Sequence, residues 1–188
     1  MGGVTDITTA DLTGVELRRS EQGDAEAHPA FLHRNALHLA PFVPTRDATR
    51  LTLDRVRELA VTSADRVPLL ALHNETVIGQ ATISSIARGA FQNCTLGYSV
   101  DVDWRWRGLA TRMVRYAVAE AFGPVGLHRV EAGTLLENRA SQRVLTKAGF
   151  ARIGISRNHL RIAGEWQDHV LYACTGEDYG SHSTSTAD

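Results

Sequence analysis

Trp104-Arg105-Trp106-Arg107-Gly108-Leu109-Ala110-Thr111 joins a strand-like run, Thr95 to Val102, to a helix-like one. In the strand-like run Leu96, Tyr98, Val100 and Val102 alternate on one face. After Gly108, the residues Leu109, Met113, Tyr116 and Ala117 recur at helical spacing and give one buried stripe. Arg105, Gly108 and Ala110 form an Arg-x-x-Gly-x-Ala element at the junction. Small residues there let backbone N–H groups point at a bound anion, which the positive helix end also favours. The element reads as a seat for a pyrophosphate.

Upstream, Val15 to Arg18 reads as a short strand and Ala25 to Leu39 as a helical stretch, with Phe31, Leu32, Asn35 and Leu39 near one face. Pro41-Phe42-Val43-Pro44 ends it, because proline disfavours helix continuation. A second helical run spans Leu51 to Thr62. Val67 to Leu72 and Val77 to Ile83 then read as strands, separated by the hairpin-like His73, Asn74 and Glu75. A loop over Ile86 to Asn93 leads into the opening strand. Downstream, Gly123-Pro124 marks the end of the long helix, and Arg129 to Thr134 reads as a strand. A short helix begins near Asn138, with Val144, Leu145 and Ala148 inward and Gly149 placed as its C-cap. A final hairpin pairs Ile153 to Ile162 with Trp166 to Cys174 across Ala163-Gly164. This order predicts a mixed α/β (α+β) domain built on a single sheet.

The chain has 188 residues, 43% of them hydrophobic, which suits one compact domain with a substantial core. The expected domain spans 15–179, with flexible tails at 1–14 and 180–188. A formal net charge of −1 gives no global basic surface, so nonspecific nucleic-acid binding is not expected. Cys94 and Cys174 are too few and too far apart for a zinc site or a disulfide framework. With no apolar secretory segment at the start, a reducing cytoplasm is the expected compartment. No stretch approaches the roughly 18 apolar residues of a membrane span.

Several spaced segments now carry a resemblance. Arg105-x-x-Gly108-x-Ala110 is followed by Leu127-His128-Arg129-Val130-Glu131, Glu137-Asn138-Arg139-Ala140-Ser141 and Ala148-Gly149-Phe150. Together they resemble the GNAT superfamily of acetyl-CoA-dependent N-acetyltransferases, from about Val15 to Tyr179. Within it, the segments from Arg34-Asn35 to Pro44, Arg88-Gly89-Ala90-Phe91, Leu96-Gly97-Tyr98-Ser99 and Gly164 to Leu171 are similar to the RimJ/RimL ribosomal-protein alanine N-acetyltransferases, the RimJ branch in particular. The resemblance implies a mostly antiparallel central sheet splayed between the strand at 95–102 and the strand at 129–134.

It also implies a site. Acetyl-CoA is the expected co-substrate, with no metal, and the amides of Arg107, Gly108, Leu109, Ala110 and Thr111 would hold its pyrophosphate while Arg105 adds charge. Trp104 and Trp106 either cover part of the nucleotide or pack under the loop. Ser99, Val100 and Val102 line the CoA cleft, and a bulge in their strand would free an N–H near Ser99 or Val100 to polarise the thioester carbonyl. Asn138 would contact the pantetheine arm, and Ser141 would give a proton or hydrogen bond to the departing thiolate. From residue type alone, Asn138 also suits a helix cap and Ser141 a first-turn position. Asn35, Phe42, Arg88, Phe91, Tyr98 and Glu131 would line the acceptor side.

An attacking amine must be neutral, the carbonyl oxygen needs a donor, and the sulfur needs a proton. Relatives place a carboxylate base after the first helical stretch or on the strand after Phe150, where this chain has Pro41-Phe42-Val43-Pro44 and Ser156-Arg157-Asn158-His159-Leu160. Glu131 and His159 are the candidates for the base. Asp168 and His169, in the last strand pair, read as a buried hydrogen-bonded pair. A protein α-amine, with pKa about 7.7–8.0 against about 10.4 for lysine, is already partly neutral near pH 7 and needs the least help. The expected acceptor is therefore the N-terminus of a protein or peptide, a ribosomal protein included. A small amine (antibiotic, amino acid or polyamine) is the alternative, and a non-catalytic acyl-CoA-binding module a third reading. The expected assembly is a monomer or homodimer, with no nucleic-acid or membrane partner.

Overall fold

The computed structural model describes residues 12–42 and 58–183. The expected tail over 1–11, Val43-Pro44, most of the helical run at 51–62 and the last residues, 184–188, lie outside the described residues.

Seven strands form one sheet: β1 Val15–Arg19, β2 Arg66–His73, β3 Thr76–Ala87, β4 Asn93–Val100, β5 Arg129–Leu135, β6 Ala151–Ile162 and β7 Glu165–Thr175. Their order is β1-β2-β3-β4-β5-β7-β6, and every pairing is antiparallel except β4 with β5. The helices are α1 Ala27–Arg34, α2 Ala36–Leu39, α3 Leu109–Phe122, α4 Arg139–Lys147 and α5 Gly176–Ser183. α1 packs on β3 from one face, and α3 covers β3 and β4 from the other, with α4 beside it.

The helical stripe foreseen after Gly108 is the centre of the core. Leu109, Met113, Val114, Ala117, Val118 and Ala121 of α3 are all buried against Val67, Leu69, Ala81, Ile83, Cys94 and Leu96 of the sheet. A smaller cluster, Phe31 and Leu39 with Leu70, Leu72 and Val77, seals α1 and α2 to the opposite face. α4 ends in a Schellman turn: Phe150 N–H reaches Leu145 O at 3.0 Å, Gly149 N–H reaches Thr146 O at 3.1 Å, and Gly149 has φ 93°.

Several boundaries differ from the sequence expectation. The helix expected over 25–39 is broken at Asn35, because that side chain turns into the protein to make tertiary hydrogen bonds. β3 extends to Ala87, and β4 starts at Asn93 and stops at Val100, where Asp101 enters a capped turn. Leu12, placed in the expected N-terminal tail, packs against the core, and Arg112 donates to its carbonyl at 3.2 Å. The expected C-terminal tail begins instead as α5, which reaches Ser183.

The parallel pairing of β4 and β5 is short. Its rungs are Asn93 with Arg129, Cys94 with Val130 and Thr95 with Glu131. Beyond them each strand keeps only its other neighbour, since β4 stays paired to β3 through Val100 and β5 to β7 through Leu135. The sheet therefore opens between residues 96–100 and 132–135, and two hydrogen-bonding edges face each other there.

Candidate active site

Trp104 to Thr111 form one margin of the opening. Trp106 and Gly108 both have positive φ, 64° and 82°, so the chain turns through two left-handed residues into α3. A Cβ at Gly108 would meet nothing within 4 Å, so backbone conformation, not space, is what asks for glycine there. Arg112 N–H is the first in the helix to find a carbonyl, Gly108 O at 3.1 Å. The N–H groups of Arg105 to Thr111 have no acceptor among the described residues. They lie at and just before the positive end of a 14-residue helix. Arg105 donates to Val102 O at 3.0 Å, and Arg107 lies 5.2 Å over the ring of Trp104. Trp104 in turn meets His73 at 4.9 Å and packs under the loop, whereas Trp106 is 74% exposed.

This loop is held from behind. Asp101, 3% exposed, accepts from Arg34 Nε at 2.8 Å, Asn35 Nδ2 at 3.1 Å and Asp103 N–H at 3.0 Å. Burial pushes its pKa up, but hydrogen bonds from Asn35, the Asp103 N–H and Arg34 outweigh that and hold it below 3.8. Asn35 Oδ1 takes the Val102 N–H at 2.9 Å, and Asp101 N–H continues the β3 ladder to Ile78 O at 2.8 Å. His38 sits close enough for Arg105 and Asp101 to act on it. Burial first, then Arg105, lowers its pKa against the pull of Asp101, and its ring meets Phe42 edge-on at 6.4 Å.

The opening itself has two sides. Register alternation follows from the Asp101–Ile78 bond: N–H groups at 95, 97, 99 and 101 point to β3, while those of Tyr98 and Val100 point across the opening. Pairing of 95–100 with β3 is regular, so no bulge frees the Val100 N–H. It is free because β5 has diverged. On the α3 face the Tyr98 hydroxyl lies 2.7 Å from Ser141 Oγ and 3.3 Å from Ser141 O. Burial pushes the Tyr98 pKa up to about 12, the Ser141 hydrogen bond opposing and Tyr172 adding, so the phenol stays protonated and can donate to Ser141. Ser141 N–H donates to Asn138 Oδ1 at 3.1 Å, making Asn138 the cap of α4. Level with Tyr98 by register, Thr134 on β5 has a buried hydroxyl with no partner among the described residues. A polar orphan at the opening and free amides at its margin together suit a long anionic ligand with a polar arm.

The residues expected here divide clearly. The opening or its margin gathers Val100, Arg105, Arg107, Gly108, Leu109, Ala110, Thr111, Tyr98, Asn138 and Ser141, with Phe42 near Arg105 through His38. Val102 does not belong to it, because its N–H is bound to Asn35 and its carbonyl to Arg105. Ser99 stands on the opposite face beside Gln80, its amide toward β3. Asn35 is buried, with its side chain wholly engaged, and does not line a cleft. Arg88 and Phe91 sit at the closed end of the sheet, where Arg88 donates to Val125 O and Gln92 O accepts from His128 and Arg129. Glu131 lies on the last closed rung, bound to Arg129 at 2.8 Å. Asp168 and His169 are not bonded to each other: Asp168 accepts the Asn158 N–H at 2.8 Å, and His169 Nδ1 faces Gln167 O at 3.1 Å. Sequence reasoning missed the Tyr98–Ser141 bond, although both residue types were in view, because 43 positions separate them.

Among the described residues no three His, Cys, Asp or Glu side chains converge as metal ligands, and no helix is long and apolar enough to cross a membrane. The chain matches the family model for the acetyltransferase (GNAT) domain over residues 15–151. It is 40% identical over 105 residues to the probable N-acetyltransferase YjcK of Bacillus subtilis, covering 56% of the chain and 58% of that protein. It is 35% identical over 103 residues to the [ribosomal protein uS5]-alanine N-acetyltransferase of Escherichia coli, covering 55% and 53%. These matches thus span little more than half the length of either relative. Among solved structures, the ribosomal-protein-S5-alanine acetyltransferase of Vibrio fischeri superposes with a TM-score of 0.82 at 25% identity, covering 90% of this chain and 97% of that one. Mycobacterium smegmatis RimJ in complex with CoA-disulfide gives 0.80 at 26% identity, covering 91% and 88%.

Proposed function

Because the chain belongs to the GNAT acetyltransferase family, we propose that it moves acetyl from acetyl-CoA to a primary amine, the α-amine of a protein or peptide fitting it best. The observation that carries the reading is the opening between β4 and β5, with free amides at one margin and the Tyr98–Ser141 pair inside. Acetyl-CoA would supply an activated acyl group and a leaving thiol. Amides of Arg107 to Thr111 would hold its pyrophosphate, with Arg105 and Arg107 adding charge. The Val100 N–H, fixed on a rigid strand, would donate to the carbonyl oxygen as negative charge develops on it. Ser141 would give its proton to the sulfur and be resupplied through Tyr98, whose raised pKa keeps it a donor. Asn138 holds the Ser141 amide and so fixes where that hydroxyl sits.

Two things favour an α-amine. The relatives named as ribosomal-protein alanine acetyltransferases match this chain at 25–35% identity, and an α-amine is already partly neutral near pH 7. The test incubates the protein with acetyl-CoA and peptides beginning Ala or Ser, and follows free CoA together with the peptide mass. Acetylation at the peptide N-terminus is expected. Turnover with free small amines but with no peptide would transfer the reading to a small-molecule acetyltransferase, and no CoA release with any amine would refute it.

A further inference from the structure

On the face of the opening away from Ser141, two imidazoles stand over Gly133 of β5. A Cβ at Gly133 would lie 3.4 Å from Leu171 Cδ2, 3.5 Å from His169 Cδ2 and 3.8 Å from His159 Nε2, ordinary contact distances that place both rings directly against the strand that walls the opening. The rings are 5.2 Å apart and tilted by 52°. His169 is the lower one, 3% exposed, with Nδ1 facing Gln167 O; a carbonyl only accepts, so that nitrogen carries the proton. Its pKa is lowered by burial, which keeps it neutral beneath its neighbour. His159 is exposed, and its Nδ1 is paired with Ser156 Oγ at 3.0 Å. Gly133 and His159 are both exposed, so solvent reaches this face of the strand. The carboxylate that acts on His169 is Asp168 on β7, held by the Asn158 N–H; on β5, Glu131, two residues before Gly133, is bound to Arg129.

From this placement we infer that the acceptor amine enters over Gly133 and gives its proton to His159 Nε2, while His169 serves as the floor under that ring. The inference rests on the acyl-transfer reading above. The ammonium R–NH3+ passes one proton to Nε2, which later returns it to water. The neutral nitrogen then forms its bond to the carbonyl carbon as the carbon–sulfur bond breaks. Sulfur leaves with the Ser141 proton, and the second proton shed by nitrogen goes to solvent, from which Ser141 is restored through the Tyr98 hydroxyl. The products are the acetylated amine, CoA thiol and one proton. His159 and Ser141 thus act from opposite faces of one opening, so the amine and the leaving group never compete for the same space.

The test compares wild type, His159→Gln and His169→Phe, with acetyl-CoA and an Ala-starting peptide, at pH 7 and pH 9. His159→Gln is expected to lower kcat/KM about 100-fold at pH 7 with CoA affinity unchanged. The deficit should narrow about sevenfold by pH 9, because the peptide amine, with a pKa near 7.8, then loses its proton unaided. His169→Phe keeps a ring under His159 and should stay within about threefold of wild type at both pH values. Equal activity of His159→Gln and wild type, or a deficit that does not change with pH, overturns the inference alone. A pH-dependent loss in His169→Phe in place of His159→Gln also overturns it. A wild type that turns over no amine sinks the acyl-transfer reading with it.

Discussion

Replacing Asp101 by alanine removes the residue on which the loop and α1 converge. Its side chain accepts three hydrogen bonds, two of them from Arg34 and Asn35, while 3% exposed. Truncating one partner of a buried ion pair costs about 3–5 kcal/mol, mostly through the charge and donors left behind. Here the Arg34 side chain is 42% exposed and can rehydrate, which puts the cost at the lower end, about 3 kcal/mol. At about 2–4 °C per kcal/mol for a chain of this size, Tm should fall by about 6–12 °C. Asn35 would lose one of its two anchors and hold the Val102 N–H less firmly, so the amides of Arg107 to Thr111 should bind CoA about tenfold more weakly, or 1.4 kcal/mol. Thermal unfolding by circular dichroism and calorimetric titration with CoA read the two effects. Asp101→Asn, which keeps size and one acceptor oxygen, should fall between. A Tm within 2 °C of wild type for Asp101→Ala would refute the idea that this buried carboxylate organises the loop.

Ser141→Ala should lower CoA release with a peptide acceptor by about 10- to 1000-fold and leave CoA binding unchanged, which separates proton donation from binding. Tyr98→Phe removes one hydrogen bond of about 0.5–1.5 kcal/mol, so Tm should drop by about 1–6 °C while kcat falls with CoA affinity kept. Gly108→Val forces a β-branched residue to φ 82°, at a cost of about 1–3 kcal/mol, and should show in calorimetry as weakened CoA binding before any change in peptide KM. The pH dependence of stability has two windows. His28 and His169 have pKa values lowered, first by burial, so the unfolded chain binds protons more readily and stability should decline below about pH 6.5. Asp24, lowered mainly by its Arg18 hydrogen bond, and Asp101 contribute stability above the unfolded aspartate pKa, and it should be lost as pH falls below about 4. Urea midpoints measured from pH 3 to pH 8 would show both steps.

Local rules were enough for much of this molecule. The stripe of Leu109, Met113 and Ala117, the glycine at φ 82° before it, the Asn138 cap and the Gly149 turn each depend on residues within a few positions of one another. A pattern of period and punctuation records such features directly. Asn35 shows where the pattern fails: nothing nearby reveals that a residue on a helical stripe will turn inward to Asp101 and Val102, 66 and 67 positions away. The same holds for the loop of Arg88 and Phe91, whose composition suits a binding site but which the β4–β5 register puts at the closed end.

Most elements, their caps and the turn into α3 are legible along one segment, because backbone conformation and spacing set them. What meets across the opening came from packing alone: Tyr98 with Ser141 on one face, His159 and His169 over Gly133 on the other. Those contacts depend on where the β4–β5 ladder stops at Thr95 and Glu131, and sheet register is a property of packed strands rather than of any one strand.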